Sequence, residues 1–186
     1  MYRIINALGF QAGWWACVAS VRWDLQAEAL VFCGVLVALH LRHCEAPKQE
    51  LTLGALALVV GIAADTALQN LGVIRFAGLS VAGLSPFWLW MLWVIFAMTL
   101  NHSMGFLQSA SWKVAAAMGL VFGPVSYVAG AKLGAAEFDY SNSHIFALGA
   151  VWLVVLPAMV WVSKRLQMSA GQERSSGDEN GGAGGI

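Results

Sequence analysis

Read by its hydrophobic and polar positions, the chain is a succession of long apolar runs broken by short polar joints. Six runs are expected to be helices, roughly 4–21, 25–41, 51–73, 87–107, 113–131 and 145–163. Each holds about 17–23 residues; at about 1.5 Å per residue that is enough to cross a hydrocarbon core about 30 Å thick. The second run is short, which calls for a thin or tilted passage. Most joints are short, except 74–86 and 132–144. Pro86 suits the first turn of the fourth helix. From Ser169 the sequence becomes SAGQERSSGDENGGAGGI, too polar and glycine-rich to bury a core. The expected fold is therefore all-α: a compact six-helix transmembrane bundle over residues 1–168, with a disordered cytoplasmic tail over 169–186.

Composition agrees. Of 186 residues, 59% are hydrophobic and 11% charged, against about 25% charged in a soluble domain. Ten basic and ten acidic residues cancel, so nothing suggests nucleic-acid binding. The first run follows Arg3 as a secretion signal would. It carries Asn6, Gln11, Trp14 and Trp15 and lacks a small-residue cleavage site, so it is expected to stay as a span.

Lys and Arg set the expected orientation. With the N-terminus on one side, that side collects Arg3, Arg42, Lys48, Lys113, Lys164, Arg165 and Arg174. The other side has Arg22, Arg75 and Lys132. The positive-inside bias makes the first side cytoplasmic, with both termini inside. Trp23, Trp88 and Trp90 then fall at the outer interface, Trp112 and Trp161 at the inner one.

Motif searches return little. Cys17, Cys33 and Cys44 form no Cys-x-x-Cys pair. His40, His43 and Cys44 cluster at the end of the second run but fall short of a metal site. Phosphate-binding glycine loops, a Gly-x-Ser-x-Gly elbow and HExxH are missing. No metal and no cofactor is expected. NALGFQAGW (6–14) faintly echoes NHSMGFLQSASW (101–112), but one opens its helix and the other closes it, so this is no inverted repeat. Gly9/Gly13, Gly119/Gly123 and Gly130/Gly134 have the spacing of close helix contacts. Pro124 is expected to break the fifth helix.

Polar residues inside apolar runs need partners, because an unpaired polar group in hydrocarbon costs several kcal/mol. Counted from the inner helix ends, Asn6 lies about 3 Å deep, Gln11 about 10 Å, and Asn101 and His102 about 8–9 Å. Asp65, Ser126, Tyr127 and Glu28 lie about 20–25 Å deep. Two layers follow. The inner one holds Asn6, Gln11, Asn101, His102 and Ser103; the outer one holds Asp65, Ser126, Tyr127 and Glu28, with Gln69 and Asn70 at its rim. Asp65 is expected to bond Tyr127 or Ser126, and Asn101 or His102 to bond Gln11. An Asp65–His102 pair is ruled out by about 12 Å of depth.

TLNHSMGFL (99–107), followed by GPVSYVAGAKLGA (123–135), resembles the bacterial integral membrane family catalogued as domain of unknown function 2878. FQAGWWACV (10–18), DTALQNLGV (65–73) and VWLVVLPAMVW (151–161) are similar to its pattern too, so the likeness covers roughly residues 4–166. The resemblance implies a bacterial inner-membrane protein of similar length and span count. Neighbouring genes of relatives, for fatty-acid-modifying methyltransferases and light or oxidant responses, imply a lipid-related role. It singles out Asn101, His102, Asp65 and Pro124 without assigning them chemistry.

Three functions stay open: an accessory protein that binds or moves a lipid-like or small molecule, an intramembrane enzyme with His102 as acid/base, and a small proton-coupled transporter using Asp65. The partners expected are membrane lipids, a second copy of the chain and a lipid-modifying enzyme.

Overall fold

A computed structural model describes the backbone of residues 1–182 and the side chains of residues 1–172. Among the described residues it has six α-helices: α1 (Tyr2–Trp23), α2 (Gln26–His43), α3 (Pro47–Asn70), α4 (Phe87–Ala97), α5 (Trp112–Lys132) and α6 (Asn142–Gly182). Of these, α1, α3, α5 and α6 are long and apolar enough to cross a membrane. Large apolar side chains such as Ile4, Leu8, Val31, Val59, Phe122 and Val154 point outward. A protein dissolved in water seldom exposes so many large apolar side chains. α5 packs along α6 and α3 along α4, while α1 packs on α2 and α4.

The elements depart from expectation in ways that matter for the site. α3 starts at Pro47, about one turn before the predicted 51, because proline fits the first helical position. That start draws Glu50 into the helix. The fourth helix, expected to reach 107, ends at Ala97. Beyond it, Leu100 N–H bonds to the Ala97 carbonyl and His102 N–H to the Thr99 carbonyl, which tightens the chain into three-residue turns. The Thr99 hydroxyl takes the Phe96 carbonyl at 2.7 Å and competes with the helical ladder. A short 3-10 turn, Gly105–Gln108, follows.

α5 runs unbroken through Pro124, so the expected helix break does not occur. Gly149 of α6 lies against Leu120 and Pro124, and a Cβ there would come within 2.9 Å of Leu120. Trp88, expected at the outer interface, turns into the protein interior. It is buried, with its indole N–H on the Ala77 carbonyl at 2.8 Å. α6 continues past 163 through the segment expected to be a disordered tail, as far as Gly182; 183–186 lie outside the described residues.

The two long joints pair with each other. β1 (Ile74–Phe76) and β2 (Ala136–Phe138) form an antiparallel ribbon with Arg75 opposite Glu137. Each strand follows a helix that ends in the same way. Gly72 (φ 72°) closes α3 and Gly134 (φ 87°) closes α5. Val73 N–H reaches back to the Leu68 carbonyl at 3.0 Å, and Ala135 N–H to the Gly130 carbonyl at 3.0 Å. This left-handed cap is one that glycine adopts at no steric cost. LGVIRF (71–76) and LGAAEF (133–138) are thus a repeat with a shift of 62 residues. The ribbon maps onto itself under that shift, with Arg75 and Glu137 at its centre.

Candidate functional site

The repeat places the outer polar group. Asp65 stands seven residues before Gly72, and Tyr127 seven before Gly134. The Tyr127 hydroxyl donates to Asp65 Oδ1, and the Trp93 indole N–H donates to Asp65 Oδ2 at 2.7 Å. Glycines permit the approach. A Cβ at Gly61 would lie 2.1 Å from Trp93 Cγ, and one at Gly123 would lie 2.3 Å from Trp152 Cγ. Trp93 and Trp152 stack on each other, 5.0 Å apart and 8° from parallel. Asp65 has an exposure of 0%.

The Asp65–Tyr127 contact is the pairing that the depth count anticipates. Other members expected in this layer lie elsewhere. Ser126 turns toward α1 and accepts from the Trp14 indole at 3.1 Å. Glu28 is exposed in the first turn of α2. Gln69 is half-buried and Asn70 exposed at the end of α3. Trp93, an unforeseen partner, looks in sequence like any other apolar residue of FWLWMLWVIFA.

The inner group is built around Glu50, which sequence reasoning left in a joint. Its side chain is 1% exposed. Oε2 faces His40 Nε2 at 3.2 Å, and Oε1 faces His102 Nε2 at 3.2 Å. The Asn101 amide donates to Oε1 at 2.9 Å. Asn101 and His102 therefore share one partner. On a regular helix, adjacent side chains diverge by about 100°; here the backbone has left the helix. The tyrosine hydroxyl of Tyr2 lies 3.3 Å from His40 Nδ1. His40 sits on the last turn of α2 and Glu50 on the first turn of α3, so one tight hairpin brings them together. Pro47 in the sequence is the signal that could have marked the early helix start.

Further polar side chains hold these residues in place. Asn101 Oδ1 accepts from Gln108 at 2.8 Å and from the Ser163 hydroxyl of α6. Asn6 Oδ1 accepts from the Ser103 hydroxyl at 2.7 Å, and its amide donates to the Met98 carbonyl at 3.1 Å. Gln11, the partner expected for Asn101 or His102, is exposed on α1 and does not reach them. The reason is that α4 stops early, so the loop drops to the level of α1's first turns. His43 is exposed, with Nδ1 2.7 Å from the Leu39 carbonyl. Cys44, which caps α2, has its thiol pushed up from the ordinary value, first by burial and then by the Glu50 charge.

Fifteen residues of α3 separate Glu50 from Asp65, about 22 Å along the helix. A cleft of about 740 Å3 runs between α1 and α5. Phe10, Trp14, Met118, Phe122 and Trp152 wall it, with Gln11 on one side and Lys132 where α5 ends. A smaller cavity of about 350 Å3, lined by Tyr2, Asn6, His40 and His43, opens beside the inner group. Cys17 of α1 and Cys33 of α2 are free thiols with Sγ atoms 3.5 Å apart, a meeting that their sequence spacing does not announce.

Together these features define a helical bundle with four apolar helices of membrane-crossing length and two separate internal polar groups. The family described as "Protein of unknown function (DUF2878)" matches residues 3–158, and the chain belongs to it. Neither the curated proteins nor the solved structures return a match.

Proposed function

We propose that this is a multi-pass protein of the bacterial inner membrane, with both termini in the cytoplasm, that binds a lipid-like molecule in the cleft between α1 and α5. Six passes are the reading that α2 and α4 support alongside the four long helices. α2 has 18 residues, or about 27 Å of helix. α4 has only 11, or about 16 Å. The irregular stretch after α4 completes the crossing, with Met98, Thr99 and Leu100 buried inside the protein. Non-helical backbone is tolerated at membrane depth only where protein covers it.

The observation that carries the reading is the cleft itself, about 740 Å3 of mostly apolar wall. It suits an acyl or isoprenoid chain, and Lys132 near its outer end suits an anionic headgroup. The test is native mass spectrometry of the protein extracted in mild detergent, beside Ala129→Trp, which fills the cleft from α5. Wild type should retain lipid and the variant should lose most of it while melting at the same temperature. Equal retention by the two proteins, or none by wild type, would refute the binding role.

Acid/base chemistry at His102 has one observation in its favour: the ring is 19% exposed and its Nε2 touches a buried carboxylate. Such a pair can hold and pass a proton. His102→Ala would then abolish a lipid change seen in cells while wild-type expression and melting persist. The transporter reading gains less, because Asp65 is enclosed and both its oxygens are taken by side-chain donors.

A further inference from the structure

We propose that His40, Glu50 and His102 form a binding site for a divalent first-row transition metal, with zinc the natural first probe. This goes beyond lipid binding and stands independently of it. The three side chains present His40 Nε2, a Glu50 carboxylate oxygen and His102 Nε2, all within 4.8 Å of one another. Around a tetrahedral ion with bonds of about 2.0–2.2 Å, ligand atoms sit about 3.3 Å apart. His40 Nε2 lies 3.2 Å from Glu50 Oε2 and His102 Nε2 lies 3.2 Å from Oε1, so the two rings meet the two oxygens of one carboxylate. For one ion to take all three, the carboxylate turns to it through one oxygen or both and the two nitrogens close in; rotation about the side-chain bonds of Glu50, and of His102 on its irregular loop, supplies that movement.

The chemistry of the donors fits. Two borderline imidazoles and one hard carboxylate together suit zinc, iron or manganese, and three protein ligands leave a coordination position open. Glu50 offsets part of a dipositive charge.

The surroundings fit as well. Metal-bound histidines nearly always have their second nitrogen hydrogen-bonded, which fixes tautomer and ring orientation. Tyr2 does this for His40 Nδ1. The hydroxyl can donate to that nitrogen when Nε2 carries the proton, or accept from it when Nε2 binds a metal. Ligating carboxylates are likewise held, and the Asn101 amide holds Glu50 Oε1 at 2.9 Å. Asn101 is itself fixed by Gln108 and Ser163. Two histidine rings lie edge to face, with centroids 4.8 Å apart. Two protonated rings at that separation would repel each other, whereas one shared cation satisfies both. The cavity of about 350 Å3 beside Tyr2 and His40 gives a route for entry.

The ligands come from three places in sequence: the end of α2, the start of α3 and the loop after α4. A bound ion would therefore pin the α2–α3 hairpin to that loop.

The experiment uses the full chain in lipid nanodiscs, stripped with chelator and desalted, then loaded with Zn2+ or Co2+. Wild type should retain about one metal per chain. The cobalt form should show visible absorption of four- or five-coordinate Co2+, which added Zn2+ abolishes. X-ray absorption at the zinc edge should need imidazole scattering from two histidines. Glu50→Gln and His102→Ala should each weaken binding by more than the about 10- to 100-fold that losing a supporting hydrogen bond costs. Tyr2→Phe should weaken it by about tenfold. His43→Ala and Asp65→Asn should bind as wild type does. Wild type that retains no metal, or zinc spectra without imidazole, overturns the proposal whether or not any variant folds. Binding unchanged in folded Glu50→Gln and His102→Ala overturns it too.

Discussion

The two buried carboxylates of α3 stand in opposite kinds of surroundings. Asp65 is enclosed between regular helices, and an indole and a phenol occupy its two oxygens. Glu50 lies at the start of its helix, faces two imidazoles and is held by residues on irregular backbone. The first arrangement leaves the carboxylate without exposure and with a side-chain donor on each oxygen. The second gathers groups that can exchange a proton for a metal, next to a cavity. An acid inside a membrane helix is a functional candidate by default, yet the same residue class serves here as a lock in one place and as a candidate ligand in the other. Burial does not separate the two; the partners do.

The sharpest way to break this contrast is Asp65→Ala. It would strand the Tyr127 hydroxyl and the Trp93 N–H in a site without exposure. Each stranded donor costs about 1–3 kcal/mol, so the variant should lose about 2–6 kcal/mol of stability. Unfolding in mixed micelles measures this. A loss under about 1 kcal/mol would mean that water or lipid headgroups reach Asp65, and the lock description would fail.

Gly61→Ala comes next. The added methyl would lie 2.1 Å from Trp93, forcing α3 and α4 apart at a cost of about 1–3 kcal/mol. Gly123→Ala presses on Trp152 in the matching place. If the 62-residue repeat describes the energetics as well as the shape, thermal melting should show the two variants losing similar amounts. A large asymmetry would confine the repeat to the ribbon and the helix caps.

Glu50→Gln should be milder in the absence of metal, about 1 kcal/mol, because an amide still accepts from Asn101 and one hydrogen bond is exchanged for another. Its effect should grow when zinc is present, since wild type gains stability from a ligand that the variant binds weakly. Melting curves with Zn2+ and with chelator give both numbers. Equal zinc-induced shifts in the two proteins would erase the distinction between the clusters.

What the sequence conveys follows the same division. Helix number, rough helix positions and the Asp65–Tyr127 contact can be read from apolar runs and a rise per residue, because regular helices turn position into depth. The inner group resists that arithmetic. Glu50 enters it because Pro47 starts α3 early, and Asn101 and His102 join the same carboxylate because the chain leaves the helix at Ala97. Gln11, placed beside them by depth alone, is exposed on α1. The β ribbon was hidden for a related reason: each strand has only three residues, and its pairing depends on two glycine caps 62 positions apart. Side chains that look alike in an apolar run, such as Trp93, reveal a polar role only when a carboxylate is set against them.

The smallest effect expected is that of Trp14→Phe, and it bears on the cleft rather than on either cluster. The Trp14 indole donates to Ser126 at 3.1 Å and ties α1 to α5 across the gap. Side-chain hydrogen bonds between membrane helices average about 0.6 kcal/mol, and phenylalanine keeps most of the apolar contact. Stability should therefore fall by about 0.6 kcal/mol. Exchange of a fluorescent phospholipid into nanodisc-held protein should nevertheless speed up, because α1 is the wall with less support: α5 is backed along its length by α6. If instead the variant unfolds as readily as Asp65→Ala, α1 and α5 form a structural seam and the cleft is not a place where a lipid comes and goes.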